Sequence, residues 1–272
     1  MSERDGFQPG VPSWVDVMGP DTDQLTGFYG AVFGWDFTGP GEIPGYPPGK
    51  YFVAQLRGRD VAGVASLPPQ SGGPRWTTYI EVESADRSAA DIERAGGSIL
   101  AQPFDAPPAG RIAMAADPTG ASFAIWEPRE RSGAQLVNEP SAWSMSALST
   151  PDRDAAAAFY ETVFGWTLDT FEVGDMEIGL FRLPGFVGGE PQQPVPRDLV
   201  ATVAPPGGET GWSVDFWTDD VERAAAAAER HGGSVVSPVS ESIPNFRQAV
   251  LADPNGVPFG VSQLMLDGQG GS

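Results

Sequence analysis

Apolar side chains along the 272-residue chain follow two rhythms, every second position and then helical spacing, in an order that recurs four times. Trp14 to Met18 (WVDVM) alternates as a half-buried strand does. Gly19-Pro20-Asp21 turns the chain, Asp21 or Thr22 can cap a helix, and the apolar positions of FYGAVF, Phe28 to Phe33, fall at helical spacing. Gly34 stands where a left-handed C-cap is expected, and Trp35 to Thr38 opens the next strand. GPGEIPGYPPG is too rich in Pro and Gly to be regular, whereas Tyr51 to Leu56 and Val61 to Leu67 read as two further strands. The result is one βαβββ unit.

After a linker at Pro68 to Pro74 the same order returns: strand Trp76 to Glu83, helix Asp86 to Ala95 ending at Gly96-Gly97, and strands Ser98 to Gln102, Ile112 to Ala115 and Ser122 to Trp126. The third unit has strand Trp143 to Leu148, helix Asp152 to Phe164 and three strand candidates between Trp166 and about Val187, with FEVGDME (Phe171 to Glu177) as a solvated hairpin. A second linker covers Gly188 to Gly211. Trp212 to Thr218, the Ala-rich helix Val221 to His231, Gly232-Gly233 and three strands ending near Leu264 make the fourth. The duplication is explicit in the letters. FYGAVFGWDF at Phe28 to Phe37 returns as FYETVFGWTL at Phe159 to Leu168, 131 positions on, while Trp76, Gly96 and Asp117 each return 136 positions on, at Trp212, Gly232 and Asp253. Two domains are therefore expected, at 1–134 and 135–272.

Composition narrows the chemistry. With Lys+Arg 16 against Asp+Glu 36 the net charge is -20, which disfavours nucleic acid and anionic membrane as partners and favours a cationic one. The chain has no cysteine, so disulfides, thiolate metal sites and cysteine nucleophiles are excluded. It has no apolar run long enough for a membrane span and no secretory layout at MSERDGFQPG, so the cytoplasm is the expected location. The glycine pairs end helices rather than start them and no G-x-S-x-G occurs, so neither a phosphate loop nor a serine hydrolase elbow is present.

The repeated FY and FGW, with the turns Asp117-Pro118-Thr119-Gly120 and Asp253-Pro254-Asn255-Gly256, resemble the vicinal oxygen chelate superfamily of glyoxalase I, extradiol dioxygenases, fosfomycin resistance enzymes and bleomycin-binding proteins. The order WVD, FY, FGW, DPTGASFAIWEP is similar to tandem-domain actinobacterial members labelled glyoxalase-like or hydroxylase. The resemblance implies an α+β fold in which four βαβββ units form two tandem glyoxalase-like domains, each a cupped eight-stranded sheet around a cavity. It also implies a divalent ion held by His, His and Glu on the first strand of each unit and the last strand of the domain.

Counting from the landmarks puts Trp14, Thr77 and Ala124 at those positions in the first half, and Trp143 or Met145, Ser213 and Gly260 in the second. None is an ordinary ligand. The one histidine, His231, ends a helical run where its charge suits the helix dipole. No metal and no cofactor are expected, although Asp16 or Asp215 could hold a hard ion weakly. A cup without metal can still bind: Trp14, Asp16, Tyr79, Trp126, Trp143, Asp215 and Trp217 are the candidate ligand-binding residues, flat rings beside acceptors suiting a planar or basic organic molecule. Two readings stay open, a metal-independent binder of an antibiotic or other secondary metabolite, and a metal-independent lyase, isomerase or hydroxylase-like enzyme on a polyketide-type substrate. In the latter Asp16, Tyr79, Glu81 or Asp215 would do the acid–base work. Internal duplication makes a monomer the expected state.

Overall fold

The structure is a computed structural model, and the residues described are 3–43, 49–67, 72–173, 176–188, 196–205, 207–243 and 245–265. Four βαβββ units follow one another. The first is β1 (Pro12–Gly19), α1 (Thr22–Phe33), β2 (Asp36–Ile43), β3 (Gly49–Leu56) and β4 (Arg59–Ser66); the second is β5 (Arg75–Glu81), α2 (Ala85–Arg94), β6 (Ser98–Ala106), β7 (Gly110–Ala116) and β8 (Ser122–Pro128). The third is β9 (Trp143–Ser149), α3 (Arg153–Phe164), β10 (Thr167–Val173), β11 (Met176–Arg182) and β12 (Leu199–Val203); the fourth is β13 (Gly211–Trp217), α4 (Val221–Arg230), β14 (Ser234–Ile243), β15 (Phe246–Ala252) and β16 (Pro258–Leu264). Their strands form two eight-stranded sheets, ordered β2-β3-β4-β1-β5-β8-β7-β6 and β10-β11-β12-β9-β13-β16-β15-β14. In every unit the first strand pairs parallel with the last, the helix and an antiparallel hairpin supplying the crossover.

The expected helices form for the expected reasons. The Asp21 carboxylate accepts the backbone N–H of Asp23 and Gln24 at the start of α1, Asp152 accepts that of Ala155 at the start of α3, and Gly34 and Gly165 close both helices at φ 72° and 75°. His231 is the exposed C-cap of α4.

Two expectations need correction. Part of the Pro/Gly stretch expected to be irregular is strand: β2 runs to Ile43 and pairs with β3 across a register shift between Thr38 and Gly41. Gly39 there has φ 124°, and any Cβ on it would lie 2.8 Å from the Tyr51 carbonyl, so the glycine serves a bulge rather than ending the ladder. Residues 44–48 of that stretch lie outside the described residues, as do 68–71 and 189–195 of the two linkers. The third strand of the third unit is not before Val187 but at Leu199–Val203, inside the stretch read as linker. Its five residues LVATV are too short to show a period between Pro-rich flanks, yet four of them are buried.

By its contacts the chain divides into two compact units: Met1–Val15, Thr77–Gln135 and Met145–Ser213, and Asp16–Trp76, Leu136–Ser144 and Val214–Ser272. Each draws on both halves of the sequence. The second holds α1 against α4, the first α2 against α3. In the second unit the Tyr29 hydroxyl donates to Asp253 Oδ2 (3.2 Å) and accepts from Trp76 Nε1 (3.1 Å), while Asp253 Oδ1 accepts the backbone N–H of Asn255 and Val257. The Phe28 ring fills the space over Gly233, where a Cβ would come within 2.7 Å of it. The first unit repeats the arrangement. Tyr160 donates to Asp117 Oδ2 (3.1 Å) and accepts from Trp212 Nε1 (3.0 Å), and Phe159 lies over Gly97. The letters that mark the repeat are thus one interlocked set per unit: FY on a helix, the Asp of the DPxG turn, the second glycine of each pair, and a strand Trp. Burial raises both Tyr hydroxyls far above their ordinary pKa, with Asp253 and Asp117 adding to the effect, so both stay protonated donors.

Among the described residues no helix is long and apolar enough to cross a membrane.

Candidate functional site

The positions at which the resemblance would put metal ligands carry no ligating set. Trp14, Thr77 and Ala124 are 5%, 2% and 0% exposed. Backbone bonding resolves the choice left open in the second half. Glu81 exchanges bonds with Gly10 and Val11, and Trp217 does the same with Ser141 and Ala142, which aligns Met145 with Trp14. With Ser213, exposed on β13, and Gly260 on β16, the second set is Met, Ser and Gly. Indole, hydroxyl and methyl groups and one thioether do not replace two imidazoles and a carboxylate, and among the described residues no group of three or more His, Cys, Asp or Glu could hold a metal.

In the first unit the candidate side chains form a packed interior. The register pairs Tyr79 with Ala124 and Glu81 with Trp126. Trp126 Nε1 donates to the Arg131 carbonyl (3.1 Å), and the Arg131 guanidinium carbon sits 5.8 Å from the centre of the Trp14 ring, so the two indoles share one clamp. Glu81, 5% exposed, has an Oε2 with no hydrogen-bond partner. Burial pushes its carboxyl up to about 7, and the Ser13 hydroxyl, near it but outside hydrogen-bonding geometry, offsets this only in part.

Asp16, Trp143, Asp215 and Trp217 belong to the second unit. Asp16 is fully buried and its Oδ2 accepts from the Tyr51 hydroxyl at 3.3 Å. Gly63, its register partner, is obligatory there, since a Cβ would come within 2.1 Å of Tyr51 Oη and 2.8 Å of Asp16 Cβ. Asp215 differs from every other candidate acid. Its Oδ1 accepts from Ser144 Oγ (2.9 Å) and its Oδ2 from Ser262 Oγ (2.8 Å), and the residue is only half-buried. Desolvation of the carboxyl pushes it up to about 6, against the two hydroxyls, which favour the anion. Gly260 faces it in register with no room for a Cβ, which would lie 2.5 Å from Oδ2, and Trp217, also half-buried, pairs with Ser262.

The structure therefore brings Asp215 and Trp217 together with Ser144 and Ser262. It does not join Trp143 to them: that ring is buried, its N–H has no hydrogen-bond partner, and Ser144, the next residue on the strand, is the one that reaches Asp215. Ser144, Tyr51 and Arg131 were not singled out from the sequence. For Ser144 the only signal was its place in the alternation WSMS, one residue away from the ring that drew attention.

Four βαβββ units whose strands form two eight-stranded sheets are the arrangement of tandem glyoxalase-like domains. The family model described as glyoxalase/bleomycin resistance protein/dioxygenase superfamily matches residues 12–125, and the glyoxalase-like domain model matches residues 145–262. The chain is 34% identical over 266 residues to CFP32 of Mycobacterium tuberculosis, a glyoxylase by name, covering 96% of this chain and 97% of that one. It is 32% identical over 275 residues to the anthracycline biosynthesis protein DauV of Streptomyces sp. (strain C5), covering 95% and 94%. Among solved structures it is similar to the Mn(II)-bound glyoxalase from Novosphingobium aromaticivorans, with TM-score 0.64 and 16% identity over 95% of this chain and 83% of that one. It is likewise similar to the 2,3-dioxygenase LapB from Pseudomonas sp. KL28, with TM-score 0.64 and 14% identity over 96% and 94%. The chain belongs to the glyoxalase/bleomycin resistance protein/dioxygenase superfamily, as two tandem glyoxalase-like domains.

Proposed function

We propose that this protein binds a small organic molecule without a metal ion, and that the molecule is an aromatic secondary metabolite of the anthracycline kind. The observation that carries the reading is the set of side chains at the six inherited ligand positions, Trp14, Thr77, Ala124, Met145, Ser213 and Gly260. An ion stripped of two imidazoles and a carboxylate has nothing there to replace them. The identity with DauV over nearly the whole chain supports the ligand class. In this reading Trp217 offers a ring face and Asp215 an acceptor, and the protein works as a cytoplasmic monomer with neither nucleic acid nor membrane as its partner.

A second reading is favoured by Asp215 itself. Its carboxyl, desolvated and with a pKa raised to about 6, can take up and release a proton near neutral pH, as a metal-independent enzyme on a polyketide-type substrate requires. Titrating the full chain with an anthracycline, followed by mass analysis of the recovered compound, separates the two. Saturable quenching of Trp fluorescence with unchanged mass supports binding, a new mass supports catalysis, and absence of any saturable signal counts against both.

A further inference from the structure

We infer that the Asp215–Ser144–Ser262 cluster is a recognition point for the basic nitrogen of a flat aromatic ligand, with Trp217 covering the ligand's ring system. The inference rests on the metal-free binding reading and adds to it the chemical group that is recognised.

The hydrogen-bond inventory of the cluster argues for a donor-only ligand group. Each carboxylate oxygen can accept about two hydrogen bonds. Ser144 shares its one proton between Oδ1 (2.9 Å) and the Asp215 backbone carbonyl (3.0 Å), and Ser262 gives its proton to Oδ2, so both hydroxyl protons are spent on Asp215 and the remaining capacity of the carboxylate is acceptor only. An ammonium or ring N–H⁺ has donors alone and matches this, whereas a ligand carboxylate or quinone oxygen meets only oxygen lone pairs. The clamp also fixes the carboxylate before a ligand arrives, which lowers the ordering cost of the charge-assisted bond.

The surroundings fit the same ligand. β9 and β16 flank β13 and present Ser144, Gly260 and Ser262 to the carboxyl, and among the described residues no Lys or Arg pairs with it. Gly260 adds no side chain to that of Ser262 beside Oδ2, where a Cβ would lie 2.5 Å from the oxygen. Trp217 is two residues further along the same strand and on the same face, about 7 Å away, the reach of a nitrogen attached to a fused ring. A hard metal ion is a poorer match, because one carboxylate whose neighbouring hydroxyls already donate to it falls short of the six to eight oxygens such an ion takes.

The test is calorimetric titration of the full-length protein at neutral pH with 9-aminoacridine, a planar cation, and with acridine, its neutral counterpart. The expected result is saturable binding of 9-aminoacridine, weakened about tenfold or more for acridine and by Asp215→Asn, which corresponds to roughly 1.4 kcal/mol or more. Ser262→Ala, which removes one of the two hydroxyls, should weaken it less, and it serves in place of Asp215→Asn if that variant does not fold. Equal affinity for the two probes, or no binding of either, would overturn the inference. Neither of those results bears on metal-free binding itself, which anthracycline titration before and after chelation decides.

Discussion

Glu81 is an acid held where ionisation is unfavourable: buried, with Oε2 unbonded, and with its carboxyl pushed up from 4.5 to about 7. The sign of the effect on stability follows. Below about pH 4.5 the group is protonated in both states; between 4.5 and about 7 the folded state holds the proton more tightly, so stability falls as pH rises through that window. The loss by the top of the window is on the order of 1–3 kcal/mol. Glu81→Gln should flatten this part of the pH profile and melt above the wild type on the alkaline side, as thermal denaturation across the range will show. A profile identical to wild type would mean that Glu81 is solvated. Counting from the landmarks is enough to say which residues stand at the positions where the resemblance implies ligands, because that needs only the spacing of letters. The clamp on Asp215 was not legible, since which hydroxyl on a neighbouring strand reaches a carboxylate depends on register and twist, and neither is written in the alternation of WSMS and WSVDFW.

At the scale of elements, the helices α1 and α3 were legible to their glycine C-caps and, for α1, to a choice of Asp21 or Thr22 as N-cap that the structure resolves to Asp21, because caps act within one turn. The continuation of β2 past Thr38 and the whole of β12 were not, because a bulge or a five-residue strand is decided by its partner rather than by its own sequence. The glycine pairs, read as helix ends, have a second use that only packing reveals. A methyl on Gly233 would meet the Ala252 carbonyl at 2.3 Å and the Phe28 ring at 2.7 Å, and one on Gly97 the Ala116 carbonyl and the Phe159 ring at 2.8 Å. Gly97→Ala and Gly233→Ala should each lower stability by about 1–3 kcal/mol in denaturant titrations. Gly27, exposed within α1 with nothing near its missing Cβ, is the control: Gly27→Ala should raise stability by about 0.5–1 kcal/mol. Tyr29→Phe, which leaves Asp253 Oδ2 and Trp76 Nε1 without the hydroxyl between them, should cost about 1–3 kcal/mol.

For the whole molecule, the repeat gives the number of units but not which of them pack together. Each compact unit takes one βαβββ helix from each half, so a chain cut at 134/135 divides both interlocks: Tyr29 loses Asp253, and Tyr160 loses Asp117. Residues 1–134 and 135–272 expressed alone should therefore fail to give stable monomers, self-associating or aggregating, and should recover a soluble complex when expressed together, as size-exclusion chromatography would report. A well-folded monomer of either half would show that the interlocks are dispensable. The central claim is that the scaffold of a metal-using superfamily is used here without the metal. Elemental analysis of the purified full-length protein, paired with anthracycline titration before and after chelation, tests it most directly. The expected result is no transition metal at stoichiometric level and unchanged binding after the chelator; one bound Mn, Fe, Ni or Zn per chain, lost together with binding, would contradict it.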